Sequence, residues 1–182
     1  VPNLGLGSGE RVLTAVRVRP MSIREHRDQS RPIILVDDED DSKSGEVVLL
    51  DPTYFSRKRD YERSFYERVF RYDHHFLPES TQEEVFDAIG KPLLRHSFDG
   101  YNSSLMVYGQ TGSGKTHTVV GGDSFRARGL VPRAISQIFR YASKRQPAKV
   151  SVSATFAQVY DDVLYDLLDP RNSSTTVDDW VK

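Results

Sequence analysis

Apolar residues fall in short clusters separated by long polar stretches, and the spacing within each cluster predicts its element. Arg11–Arg19 carries Val12, Leu13, Val16 and Val18 ahead of Pro20, which predicts a strand that proline stops. Met21–Ser30 is polar and predicts a loop or one short helical turn. Ile33–Val36 and Val47–Leu50 are brief β-branched runs that predict a small hairpin, and Ser64–Phe70 alternates toward another strand. Ser80-Thr81-Gln82-Glu83 fits a capping box. It opens a helix to about Ser97, on which Val85, Phe86, Ile89, Leu93 and Leu94 recur near helical spacing and face the core. Gly90 and Pro92 interrupt that pattern and predict a kink.

Ser103–Tyr108 reads as a short apolar strand, Lys115–Val120 as a helix, and Gly121–Ser124 as the start of a surface loop. Pro132 suits the start of a second amphipathic helix reaching about Arg145, with Ala134, Ile135, Ile138, Phe139 and Ala142 on its apolar face. Lys149–Tyr160 alternates as a long strand. This order predicts an α/β fold, a central mostly parallel β-sheet with helices on both faces. Residues 1–10, rich in Gly and Ser, are expected to be a disordered leader before one domain over 11–182. Arg171–Lys182 is a polar tail with an isolated Trp180.

Composition narrows the class. Hydrophobic residues are 37% of the 182, below the usual globular share of about 45–50%, which fits a core interrupted by polar loops. Lys+Arg 25 against Asp+Glu 26 leaves a net charge of −1, so no basic field points to nucleic acid. The absence of cysteine excludes disulfides, Cys-based zinc sites and thiol chemistry. No apolar run approaches the ~18–20 residues that span a bilayer, and the first residues lack the pattern of a signal peptide. A soluble, cytoplasmic protein without membrane insertion is the expectation. The acidic run Asp37–Asp41 and the basic run Arg57-Lys58-Arg59 lack metal-ligand spacing and read as solvated loops. The neighbours His74 and His75 read as strand-end packing.

One segment carries chemistry. Gly109, Gln110, Thr111, Gly112, Ser113, Gly114, Lys115 and Thr116 complete the pattern G-x-x-x-x-G-K-[ST] of a phosphate-binding loop. Glycines let successive backbone N–H groups turn inward around an anion. Lys115 then sets its ammonium against the β- and γ-phosphates, Thr116 offers its hydroxyl to Mg²⁺, and the following helix adds its positive end. The strand–loop–helix context agrees. A P-loop NTPase holding ATP or ADP with Mg²⁺ is the expectation, and the loop alone leaves kinase, transporter, GTPase and motor open.

The flanks resemble the kinesin motor family. Asp99-Gly100-Tyr101-Asn102, then Val107-Tyr108 and the loop itself, then His117-Thr118, match the family's D/E-G-Y-N…YGQTGSGKT-H/Y-T. Arg17-Val18-Arg19-Pro20 resembles its first-strand R-x-R-P, followed by Arg24-Glu25. Tyr72–Phe76 resembles F-D-x-x-F, and Thr81–Phe86 resembles T-Q-E-x-V-F/Y. Gly129–Arg133 resembles G-I-I-P-R, and Phe156–Tyr160 with Tyr165–Leu168 resembles F-x-E-I-Y…D-L-L. The match runs over residues 12–169.

The resemblance implies that Arg17, Arg19 and Pro20 flank the adenine and that His117 approaches it from the loop side, a contact that gains mostly from apolar and cation–π packing. It implies a microtubule-stimulated ATPase whose partner is tubulin, working at the cytoskeleton. The alternative is a kinesin-like protein or fragment that binds nucleotide without turning it over. The family's switch motifs, N-x-x-S-S-R-S-H and D-L-A-G-S-E, do not occur in these 182 residues, so no catalytic residue is assigned. Asp161-Asp162 and Asp178-Asp179 are not given that role. The coiled-coil stalk that would set the oligomer and the neck linker are absent as well, so the resemblance covers nearly all of this chain but roughly half of a motor domain. Half a doubly wound sheet leaves an edge and an apolar face uncovered, so an isolated 1–182 polypeptide is expected to be unstable. Gln158, Val119-Val120-Gly121 and the loop Gly122–Arg128 depart from the family pattern without touching the phosphate chemistry.

Overall fold

A computed structural model describes residues 12–36, 46–51, 67–144 and 150–169. The leader, the acidic run, the Arg57–Arg59 run, Ser64–Tyr66 and the tail after Asp169 lie outside the described residues. Two compact units divide the chain, Val1–Phe139 and Arg140–Lys182.

In the first unit, β1 (Ala15–Arg17) pairs in parallel with β5 (His74–Phe76), Val16 opposite His75. Pairing continues on both sides: Asp73 N–H reaches Thr14 O at 2.9 Å, and Val18 N–H reaches Phe76 O at 2.8 Å. Asp73 Oδ2 also accepts from Thr14 N–H and Oγ1 at 2.8 and 3.0 Å, which locks this register. The His74 ring stacks on Phe76 with centroids 6.4 Å apart, in keeping with strand-end packing.

The expected hairpin is present and larger than the pattern implied. β2 (Ile34–Val36), β3 (Glu46–Leu50) and β4 (Glu67–Arg71) form an antiparallel three-stranded sheet, in which Val47 and Leu50 of the central strand are buried. Between β1 and β2, the polar stretch forms α1 (Ile23–Arg27). Its reciprocal capping box joins Ser22 and Glu25.

The long helix expected over 80–97 is three segments: α2 (Gln82–Val85), a π-helical turn (Phe86–Gly90) and α3 (Lys91–Phe98). Its cap is Thr81 with Glu84, one residue later than the expected Ser80 with Glu83. Both pairs satisfy the spacing; the later register frees the Ser80 carbonyl for Arg17 and turns Gln82 inward. At Gly90 and Pro92 the helix inserts a residue where a kink was expected. Lys91 N–H bonds back to Phe86 O, and Pro92 then falls at the start of α3, where a missing N–H is tolerated. Gly90 is needed there because a Cβ would run into the Phe86 ring.

The core cluster is Phe76, Val85, Phe86 and Leu130, with Ala88, Ile89, Leu94 and Ala134 packed against it. After α4 (Lys115–Val119), residues 121–129 form a pinched loop before α5 (Leu130–Lys144). Gly121 bridges Arg128, Gly122 N–H bonds Ala127 O at 2.9 Å, and Gly129 N–H bonds Val120 O at 2.8 Å. The approach is close enough that a Cβ on Gly129 would lie 2.6 Å from Thr118 O.

Three sequence expectations fail here. Ser103–Tyr108 is not a strand; no described strand runs beside it to take its backbone bonds, and Met106 and Tyr108 are 89% and 95% exposed. The parallel sheet is correspondingly limited to β1 and β5 among the described residues. On α5, Ile135 and Phe139 of the expected apolar face are exposed, because only the Leu130–Ala134 end meets the cluster. In the second unit the strand expected over 149–160 is only β6 (Ala157–Tyr160), paired with β7 (Val163–Asp166) in a hairpin. Asp161 and Asp162 are its two turn residues, both at positive φ (49° and 58°), which accounts for that acidic pair structurally.

Candidate functional site

The loop at 109–116 bends through two left-handed glycines, Gly112 (φ 81°) and Gly114 (φ 103°), positions that a side chain would strain. Ser113 N–H closes a turn onto Gln110 O at 3.2 Å, and α4 starts directly after Gly114. Lys115 folds across the loop and donates from Nζ to Gly109 O at 2.6 Å and Gln110 O at 2.8 Å. A hollow of about 300 Å³ opens above, lined by Thr111, Gly112, Gly114, Lys115, Thr116 and His117. The Thr116 side chain is exposed at its rim. A Cβ on Gly112 would meet nothing within 4 Å, so anions have open access to that part of the backbone. Glycine conformation, inward ammonium and rim hydroxyl together fit a phosphate chain and its counter-ion.

The four residues expected around the base divide into two groups. Arg17 turns to the start of α2 and to α4: Nη1 donates to Gln82 Oε1 at 2.9 Å and to Thr118 Oγ1 at 3.1 Å, and Nη2 to Ser80 O at 3.2 Å. Burial lowers its pKa from the ordinary guanidinium value. Arg19 turns instead to α1, where it makes a two-pronged ion pair with Glu25 and donates to Pro20 O at 2.9 Å. Its hydrogen bond to Glu25 raises its pKa. The Glu25 carboxyl is held down at about 2, first by Arg19 and then by the Ser22 backbone N–H. Arg19 stays beside the phosphate loop, its Cβ 3.9 Å from where a Cβ on Gly114 would stand. Pro20 is exposed.

His117 is joined to Arg17 through Gln82, which sequence reasoning treated only as part of a helix start. Gln82 is buried, and its Nε2 lies 2.7 Å from His117 O, 3.2 Å from His117 Nε2 and 3.3 Å from Ala127 O. A signal for it was present. Gln82, Val85, Phe86 and Ile89 share one helical stripe, and a lone amide on an apolar stripe must find partners inside. Beyond His117 a second cavity of about 600 Å³ runs between the start of α2 and residues 124–127. Phe125 and Arg133 line it, and the Arg128 and Arg133 guanidiniums sit 5.6 and 6.0 Å from the Phe125 ring centroid. Among the described residues no group of three or more His, Cys, Asp or Glu could hold a metal ion, and no helix is long and apolar enough to cross a membrane.

The chain is similar to several known proteins. Kinesin-like protein KIF13B of Homo sapiens is 34% identical over 177 residues, 92% of this chain and 9% of that protein. Kinesin-like protein KIN-14O of Oryza sativa subsp. japonica is 43% identical over 104 residues, 57% of this chain and 17% of that protein. The chain thus spans less than a fifth of the length of these relatives. Among solved structures, residues 391–755 of KIF14, with ADP in complex with a microtubule, superimpose with a TM-score of 0.66 at 28% identity. That match covers 91% of this chain and 44% of that one. The family model for the kinesin motor domain matches residues 17–180. With that match and the phosphate loop at 109–116, this chain belongs to the kinesin motor domain family and has its P-loop NTPase fold.

Proposed function

We propose that this chain is the nucleotide-holding part of an ATP-driven microtubule motor, with tubulin as partner and the cytoskeleton as its place of work. The observation that carries the reading is the phosphate loop itself, with Gly112 and Gly114 left-handed and Lys115 turned inward. The kinesin neighbour bound to ADP and a microtubule supports the same reading.

In it, the Gly109–Thr116 backbone binds the phosphate chain of ATP or ADP, and Lys115 exchanges its two carbonyl contacts for phosphate oxygens. Thr116 would hold Mg²⁺, which when bound neutralises charge on the β- and γ-phosphates. Arg17, Arg19, Pro20 and His117 are the base side of the site. Arg19 contributes from a position fixed by Glu25, Arg17 from one fixed by Gln82, Thr118 and Ser80. Hydrolysis would draw on groups supplied from elsewhere in the whole motor.

The test is ATP turnover by the full-length protein with and without microtubules, beside a Lys115→Ala variant. The reading expects stimulation by microtubules and a loss of nucleotide affinity of at least about a hundredfold in the variant, from removing a charge-assisted contact at a preorganised site. Nucleotide binding without turnover under both conditions would leave a binding protein in place of a motor.

A further inference from the structure

Gln82 presents an unusual arrangement for a helix-start residue. Its side chain is 5% exposed and is the one buried polar side chain among the described residues. Its amide orientation follows from its partners: a guanidinium only donates, so the oxygen must face Arg17 and the NH₂ must face the carbonyls of His117 and Ala127. Two consequences follow. The His117 backbone is fixed to α2, 35 residues earlier in the chain. The His117 ring lies beside the same amide, its Nε2 3.2 Å from Gln82 Nε2, so ring and backbone are held against α2 together.

We propose that Gln82 is a positioning residue for nucleotide binding, holding Arg17 and His117 as one unit on the base side of the phosphate loop. The proposal rests on the nucleotide-site reading above and adds to it the residue that sets the site's shape. A buried amide that joins two elements by hydrogen bonds orders them more than either contact would alone. Both residues it joins lie beside Lys115 and Thr116, His117 by sequence and Arg17 through Thr118. Loss of Gln82 therefore releases the base side of the site while leaving the Gly109–Thr116 loop and Lys115 contacts in place.

The experiment compares ADP with inorganic tripolyphosphate, which offers phosphates and no base, on the full-length protein. Gln82→Met keeps the side-chain volume and removes all the hydrogen bonds. Gln82→Glu keeps an acceptor for Arg17 but turns the group facing His117 from donor to acceptor. We expect both variants to bind ADP about tenfold more weakly, the equivalent of one or two buried hydrogen bonds, and tripolyphosphate within twofold of the parent.

Equal weakening for both ligands in folded variants, or unchanged ADP affinity, would each overturn the proposal. His117→Ala with full ADP affinity also overturns it, since Gln82 would then be holding a residue that meets no base. Unchanged binding of both ligands in Lys115→Ala is a different failure: it removes the phosphate-loop reading, and the proposal with it.

Discussion

Gly90→Ala is a change that helix propensity alone would score as favourable, by about 1 kcal/mol in a helix interior. The structure reverses the sign. A Cβ at Gly90 would run into the Phe86 ring, with Cε2 at 2.6 Å and Cγ at 3.3 Å. Contact at Cγ means that a swing of the ring's far edge cannot relieve it. Phe86 is 5% exposed and packed in the cluster with Phe76, Val85 and Leu130. Expelling it would forfeit much of the ~3–5 kcal/mol that a buried Phe contributes, so the ring stays and the core takes the strain. Overpacking of this kind costs about 1–3 kcal/mol. The upper half of that range exceeds the propensity gain, and the extra residue of the π turn leaves no slack along the helix. A net loss of about 1–2 kcal/mol is expected.

At a urea slope of about 1–3 kcal/mol per molar, the unfolding midpoint should fall by roughly 0.3–2 M, read by circular dichroism on the full-length protein. A double-mutant cycle isolates the cause. In a Phe86→Ala background the ring atoms that meet the new Cβ are gone, so Gly90→Ala should become neutral or stabilising, giving a coupling of about 1–3 kcal/mol. A stabilising effect in the parent background, or equal effects in both, would refute the reasoning.

Glu25 gives a pH prediction. Its folded pKa of about 2 lies below the ordinary 4.5, so the stability it contributes is complete above 4.5 and lost as pH falls from there through 2. Carboxyl NMR should show Glu25 still ionised at pH 3.5, and a midpoint near 4.5 would mean that the Arg19 pair does not persist in solution. Asp162→Gly removes an L-residue from the left-handed region in the β6–β7 turn. It should stabilise that hairpin by about 0.5 kcal/mol, seen as about twofold slower exchange of the Tyr160 and Val163 amides; faster exchange would contradict it.

What was legible in the sequence followed the range of the interactions involved. The phosphate loop is a contiguous string whose glycines and lysine act on their own backbone, so eight residues carried the reading. The β2–β3 pairing was equally local. Gln82 joins Arg17, 65 residues away, and His117, 35 away; only the fold brings these together. The capping register was ambiguous because Ser80 and Thr81 each have a Glu three residues on, and a tertiary contact of the Ser80 carbonyl decides it. Arg17 and Arg19, grouped by the resemblance to R-x-R-P, part company because Glu25 draws one of them to α1. Ser103–Tyr108 and the exposed face of α5 have the composition of core elements but no described partner to bury them; burial is a property of neighbours, which periodicity does not report.

The pinched loop at 121–129 has a consequence for engineering. Its two ends are stitched together by the Gly121–Arg128 bridge and the Gly122–Ala127 and Gly129–Val120 bonds, so α4 and α5 do not depend on the length of what lies between. Lengthening it at Asp123, ahead of the Ser124 turn and the Arg133 bonds to the Phe125 and Arg126 carbonyls, adds mainly closure entropy, about 0.6 kcal/mol for each doubling. A peptide tag or a fluorophore-bearing segment inserted there should be tolerated. The neck glycines are the fixed part of this hairpin-like port, and Asp123 is the part free to vary.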